Sequence, residues 1–130
     1  MLLETVVLIS GIISGLIIFQ AAINAPLIFK TLPMEHARPL IRSIFPILFK
    51  VVAVLGVAML ALALWYGTSP VAIGVSVVTV VLASTCAALI PATNRAADND
   101  NESRFHRLHQ ASVVLTVAVL LANLGWLFFR

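Results

Sequence analysis

The residues best equipped for chemistry lie in the run Arg104-Phe105-His106-Arg107-Leu108-His109, which holds two of the three histidines and two of the eight basic residues. His106 and His109 are three apart and share a helical face, a spacing at which two imidazoles could ligate one transition metal. Either could instead hold haem if a second histidine came from another helix. The only other histidine is His36, in a connection between Pro33 and Pro39, so the apolar core offers no second axial ligand. The competing chemistry is recognition, in which both rings hydrogen-bond to headgroups, to loop carbonyls, or to the amides of Gln20 and Asn24. Asp98, Asp100 and Glu102 lie just upstream. Their spacing is loose for a metal, and a solvated loop whose acids favour the positive end of the next helix explains them equally well. No Ser-His-Asp set, paired carboxylates or phosphate loop is present, which argues against an enzyme.

The elements that must position these groups are apolar. With 62% hydrophobic and 10% charged residues over 130 positions, the chain reads as an integral membrane protein. Runs free of Asp, Glu, Lys and Arg cover 5–29, 51–94 and 108–129. About 20 apolar residues cross a bilayer, so the middle run crosses more than once, and Tyr66-Gly67-Thr68-Ser69-Pro70 divides it. The expected fold is all-α: an antiparallel bundle of four transmembrane helices at about 4–30, 39–66, 70–91 and 103–129, one domain over 1–130. The first run lacks a basic residue ahead of it and is too long for a signal core, so it is read as a permanent helix. Cys86 falls mid-membrane and has no cysteine to pair with.

Orientation follows from the basic residues. Lys30, Arg38 and Arg42 border the first connection and Arg95, Arg104 and Arg107 the third, whereas the second connection has none. Both charged connections are therefore expected in the cytoplasm and both termini outside, with a bacterial inner membrane as the setting. Trp65 and Trp126 agree, since both fall at the outer ends of their helices. A reporter fused after Arg130 should accordingly lie outside the cytoplasm, and cytoplasmic activity of that fusion would overturn the orientation.

Within the spans, Gly11 and Gly15 form a small-xxx-small ridge, expected to meet Ala118, Ala122 and Gly125 of helix four. A homodimer seam is the alternative use of the same ridge. Pro26 frees a carbonyl near Ala22 and should distort helix one there. Pro39 is expected to open helix two and Pro91 to end helix three, leaving 92–103 as a polar loop with its acids partly balanced by Arg95 and Arg104. From His109, steps of three and four reach Ser112, Thr116, Val119, Asn123 and Trp126, a stripe that should face protein. Asn24 lies about 9 Å inward of Lys30 and Ser112 about 8 Å inward of Arg107, so their depths match. His109 and Ser112 are thus expected to hydrogen-bond Gln20 or Asn24, with Lys50 at the edge of the cluster. Lys50 has no acid in any span to meet, and must snorkel, lean on carbonyls, or reach a neighbour's imidazole or amide.

Several motifs carry a family resemblance. Ile44-Phe45-Pro46-x-x-Phe49, Pro91-x-x-Asn94-Arg95, Ala25-Pro26-Leu27-Ile28-Phe29, and the Arg104 to His109 run with Ser112 together resemble the transmembrane protein 205-like family, domain of unknown function 4149. The resemblance implies a small four-helix membrane protein and brings no established reaction. Pro91, Asn94, Phe105, His109 and Ser112 are its motif positions. The reading from the residues is a non-catalytic membrane module. Its cytoplasmic polar face (Gln20, Asn24, Lys50, Asn94, His106, Arg107, His109, Ser112) would take an anionic ligand, a lipid headgroup or a partner protein. The alternative is a redox or metal-handling protein that holds haem or a transition metal with His106, His109 and His36. Its partners are the bilayer and anionic headgroups, with a homodimer or another membrane protein as further candidates and no sign of nucleic acid. An optical spectrum with a metal analysis separates the two readings.

Overall fold

The computed structural model describes residues 1–129, and every described element is helical. Helix α1 runs Leu2–Thr31, α2 Met34–Trp65, α3 Pro70–Asp98 and α4 Glu102–Gly125, with a 3-10 turn Trp126–Phe128 at its end. Each of the four is long and apolar enough to cross a bilayer. The short connections make successive helices antiparallel. They close a ring in which α1 packs on α2 and α4, and α3 on α2 and α4.

The distribution of side chains is that of a membrane bundle. Large apolar residues such as Leu8, Ile47, Val54, Leu64, Val81, Val114 and Leu121 point outward, while Ser10, Ser14, Ser76, Thr79 and Asn123 are buried among Ile13, Val52, Met59, Ala83 and Val119. In water this would expose too much apolar surface; in lipid it costs nothing and lets small residues bring backbones together. The β-branched run Val75 to Val81 stays helical, as an unpaired strand in lipid could not. The Ser76 and Thr79 hydroxyls donate to the carbonyls of Ala72 (2.7 Å) and Val75 (2.8 Å), four residues back.

Turn chemistry sets the α2–α3 hairpin. Gly67 takes φ +62°, the Thr68 N–H returns to the Ala63 carbonyl at 3.0 Å, and the Ser69 hydroxyl accepts the Ala72 N–H at 3.3 Å.

Four expectations are corrected. Helix α2 begins at Met34, capped by the Pro33 carbonyl, which accepts from the His36 and Ala37 N–H groups at 2.9 Å, so Pro39 lies inside the helix. Pro91 likewise does not end α3, because a proline removes a single backbone bond and the helix resumes beyond it. Helix α3 stops only where Asp100 turns to φ +52° and the Asn101 N–H bonds the Ala96 carbonyl at 2.9 Å. The acids are not balanced by Arg95 and Arg104; Asp98 instead pairs with Arg42 of α2 at 2.7 Å. Finally, Gly11 and Gly15 are exposed, and a Cβ built on either, or on Gly125, would meet nothing within 4 Å. Helix α1 meets α4 along Ser10 and its neighbours, one helical face away from the glycine ridge.

Pro26 distorts α1 by widening it. Residues Phe19–Asn24 form a π-helical segment in which the Ala25 N–H reaches back five residues to the Gln20 carbonyl. Pro26 has no N–H to offer Ala22, and the wider turn absorbs that loss before the regular helix resumes at Ala25–Thr31. Beyond the π segment, α1 packs against α2.

Candidate functional site

The cluster expected between helices one and four at the charged end does not form among the described residues, and the side-chain bond found at that level lies within α1. Gln20, three residues beyond Ile17 on the buried stripe of α1, is 5% exposed, and its Oε1 accepts the Asn24 Nδ2–H at 2.7 Å. On α4, His109 is exposed and stacks on Phe105, their centroids 5.7 Å apart at an interplanar angle of 10°. Ser112 is half-buried; its carbonyl accepts from the Thr116 hydroxyl at 2.7 Å and from the buried Cys86 thiol at 3.8 Å. No hydrogen bond among the described residues joins His109 or Ser112 to Gln20 or Asn24. Lys50, His106 and Arg107 are exposed and Asn94 is half-buried. The cause lies in α4, whose first three turns bury no residue, so its polar groups face the headgroup layer.

The three histidines stay apart. His36 sits 3.5 Å from Glu35 in the first turn of α2, and His106 and His109 share the exposed face of α4. Among the described residues, no three of His, Cys, Asp and Glu come together as a metal set.

Gln20 retains one anomaly. Its Nε2 is buried without a hydrogen-bond partner among the described residues, and an orphaned buried donor costs about 1–3 kcal/mol. Gln20→Met keeps the length and removes the orphaned donor but also takes the acceptor from Asn24, so the two effects offset and the detergent-solubilised protein is expected to stay within about 1 kcal/mol of the parent. A loss of about 2 kcal/mol or more in a thermal melt would show that the amide is held by an ordered water or a ligand.

The best-connected polar cluster lies at the other end of the bundle, near the termini. Trp126 Nε1–H donates to Ser10 Oγ at 2.8 Å, and the Ser10 hydroxyl donates to Asn123 Oδ1 at 2.7 Å, with the Asn123 carbonyl 3.2 Å away. Asn123 Nδ2 donates to Thr79 Oγ1 at 2.8 Å and to the Val119 carbonyl at 2.9 Å. Because the Thr79 proton is committed to Val75, that hydroxyl can only accept, which fixes the way the Asn123 amide points. The chain crosses α4, α1 and α3 and leaves no member unsatisfied, the pattern of a structural clasp. Asn123 and Trp126 were visible in the α4 stripe. Ser10 and Thr79 were missed, since a lone hydroxyl in an apolar helix can satisfy itself on the preceding turn, as Thr79 does and Ser10 does not, and gives no periodic signal.

What the charged end can do chemically is attract anions. Lys30, Arg38, Lys50, Arg95, Arg104 and Arg107 are all exposed and make no ion pair among the described residues. No curated protein and no solved structure matches this chain. One family model does, over residues 8–102, and that span stops short of the helix-four motif. The match is to the domain family and not to the transmembrane protein 205 name that the resemblance also carries. It takes in α2 and α3 whole and most of α1, and by it the chain belongs to the family described as Domain of unknown function (DUF4149).

Proposed function

We propose that this protein is a non-catalytic membrane module whose charged end, in the cytoplasm, binds an anionic ligand or headgroup, with both termini on the far side of a bacterial inner membrane. The observation that carries the reading is the excess of unpaired positive charge. Seven of the eight basic residues gather at that end with four acids, and among the described residues only Arg42 of these seven is spent on an ion pair. Asn24, Asn94, His106 and His109 add hydrogen-bonding capacity at the same level, and Arg107 extends the basic face along α4. Exposed cations near a membrane surface contribute about 1 kcal/mol each toward anionic lipid.

The test is lipid retention. The full-length protein, reconstituted in equal parts phosphatidylglycerol and phosphatidylcholine and re-extracted in detergent, is expected to carry about threefold more of the anionic lipid by native mass spectrometry. That excess should shrink as salt is raised, since the charges are exposed. Equal retention of the two lipids at low salt would refute the proposal.

A further inference from the structure

The hairpin between α3 and α4 encloses a cleft of about 100 Å³ lined by Ala92, Arg95, Ala96, Asn99, Asn101 and Arg104. Its two guanidiniums come from different helices, Arg95 from the end of α3 and Arg104 from the start of α4. Neither makes an ion pair among the described residues: Asp98, in the last turn of α3, pairs with Arg42 at 2.7 Å, and neither Asp100 nor Glu102 pairs with a cleft arginine. Asn101 accepts the Arg104 backbone N–H at 3.2 Å through Oδ1, which leaves its Nδ2 as a donor. The Asn99 carboxamide has no protein partner among the described residues. The cleft also lies at the N-terminus of α4, where the first N–H groups point out of the helix. Its lining combines two arginines and two asparagines with the apolar Ala92 and Ala96; no acidic residue lines it, although Asp100 and Glu102 adjoin it in the chain.

We infer that this cleft binds the phosphate of a phosphomonoester, a site that deepens and rests on the anion-binding reading above. A carboxylate presents two coplanar oxygens and is satisfied by one guanidinium fork. Two guanidiniums from separate helices with two carboxamides call for a tetrahedral acceptor with three free oxygens, and the paired positive charge calls for a dianion. Size agrees. At about 100 Å³ the cleft is well below the roughly 300 Å³ at which pockets for drug-sized ligands begin, so it takes a single phosphate-sized group and leaves the rest of the molecule outside. That group comes either from a lipid with a terminal phosphate, delivered along the bilayer surface, or from soluble phosphate or a soluble phosphomonoester.

The experiment titrates the full-length protein in phosphate-free detergent with dioctanoyl phosphatidic acid, dioctanoyl phosphatidylglycerol and inorganic phosphate, read by native mass spectrometry. Phosphatidic acid is expected to bind about tenfold more tightly than the phosphodiester lipid. Arg95→Gln and Arg104→Gln should each weaken it about tenfold, and Arg95→Lys, which keeps the charge and loses the fork, nearly as much. Arg38→Gln removes the same charge from the same end outside the cleft and should cost less than about twofold. Because Arg95 and Arg104 are exposed and their side chains make no hydrogen bond or ion pair among the described residues, the variants should melt with the parent protein. Inorganic phosphate that competes at equal concentration identifies the soluble source; phosphate that fails to compete identifies the lipid. Arginine variants of the cleft that bind as well as Arg38→Gln, or a parent protein that binds none of the phosphate probes, overturn the site. A phosphatidylglycerol preference that survives such a result leaves the broader reading standing. Conversely, cleft-dependent phosphatidic acid binding without any general anionic preference keeps the site and removes that reading.

Discussion

Gly56→Leu is expected to destabilise the protein by about 3 kcal/mol, the largest effect of any single substitution considered, read as a drop in the thermal midpoint of the detergent-solubilised protein. Gly56 is buried where α2 crosses α3, the most extensive helix contact in the bundle. A Cβ at this position would stand 3.0 Å from Thr79 Cγ2, 3.0 Å from Val80 Cγ2 and 3.3 Å from the Val80 nitrogen. Side-chain methyls can yield by a few tenths of an ångström; the backbone nitrogen yields only if the helices part. A leucine has four carbons to place where one barely fits, so α2 must move away from α3. Thr79 belongs to the clasp, so that movement also strains its bond from Asn123. Gly56→Ala should be much milder, since alanine's better helix propensity, about 1 kcal/mol, offsets part of the crowding. Gly15→Leu is the control and should fall within about 0.5 kcal/mol of the parent, because nothing lies within 4 Å of its Cβ position. Should Gly15→Leu prove the damaging change and Gly56→Leu the silent one, the close contact in the bundle has been assigned to the wrong glycine.

For Asn123→Leu the expected loss is about 2 kcal/mol. The side chain is fully buried and bridges Ser10 of α1 to Thr79 of α3. Interhelical hydrogen bonds in membranes average about 0.6 kcal/mol and reach about 1.7, so the two bridging bonds set the lower part of the estimate. The remainder comes from what is stranded. Thr79 keeps its bond to Val75, and Ser10 can turn to the backbone carbonyl at position 123, 3.2 Å away, so neither hydroxyl is wholly orphaned and the figure stays moderate. Trp126→Phe removes the first link alone and should cost about a third as much. An Asn123→Leu protein that melts at or above the parent's midpoint would show that the clasp contributes orientation without stability.

The fold was largely legible because its signals are local. Gly67, Ser69 and Pro70 write their turn in three residues, and the apolar runs have no alternative to helix in a bilayer. Proline misled at positions 39 and 91 because its cost is one backbone bond, which a long helix supported by neighbours tolerates, whereas the true stop after α3 is the left-handed residue Asp100. The candidate site was less legible, for a different reason. Depth can be computed from sequence, and it set Asn24 and Ser112 level; which face of each helix meets a neighbour cannot, and Gln20 continues the buried stripe of α1 while α4 turns His109 out. The same limit explains the glycines. A small-xxx-small pattern marks a face able to pack closely, but only the partner helix decides which such face is used, and here Gly56 is used while Gly11 and Gly15 are left outside. Arg95 and Arg104, nine positions apart in the chain, read as topology signals until the hairpin brings them to one cleft.

The clasp has a mechanical consequence. Near the termini, three helices are tied by directional bonds centred on one asparagine; toward the charged end, the ties between helices among the described residues are the weak contact of the Cys86 thiol with the Ser112 carbonyl and one ion pair between accessible side chains, Arg42 and Asp98. Directional bonding between helices is therefore graded along the bundle, while the short connections at 32–33 and 99–101 hold the charged end by covalent turns. A change of spacing between the two hairpins at that end requires no bond of the clasp to break. The π segment of α1 lies between the two regimes, at the level where a lever arm would pivot.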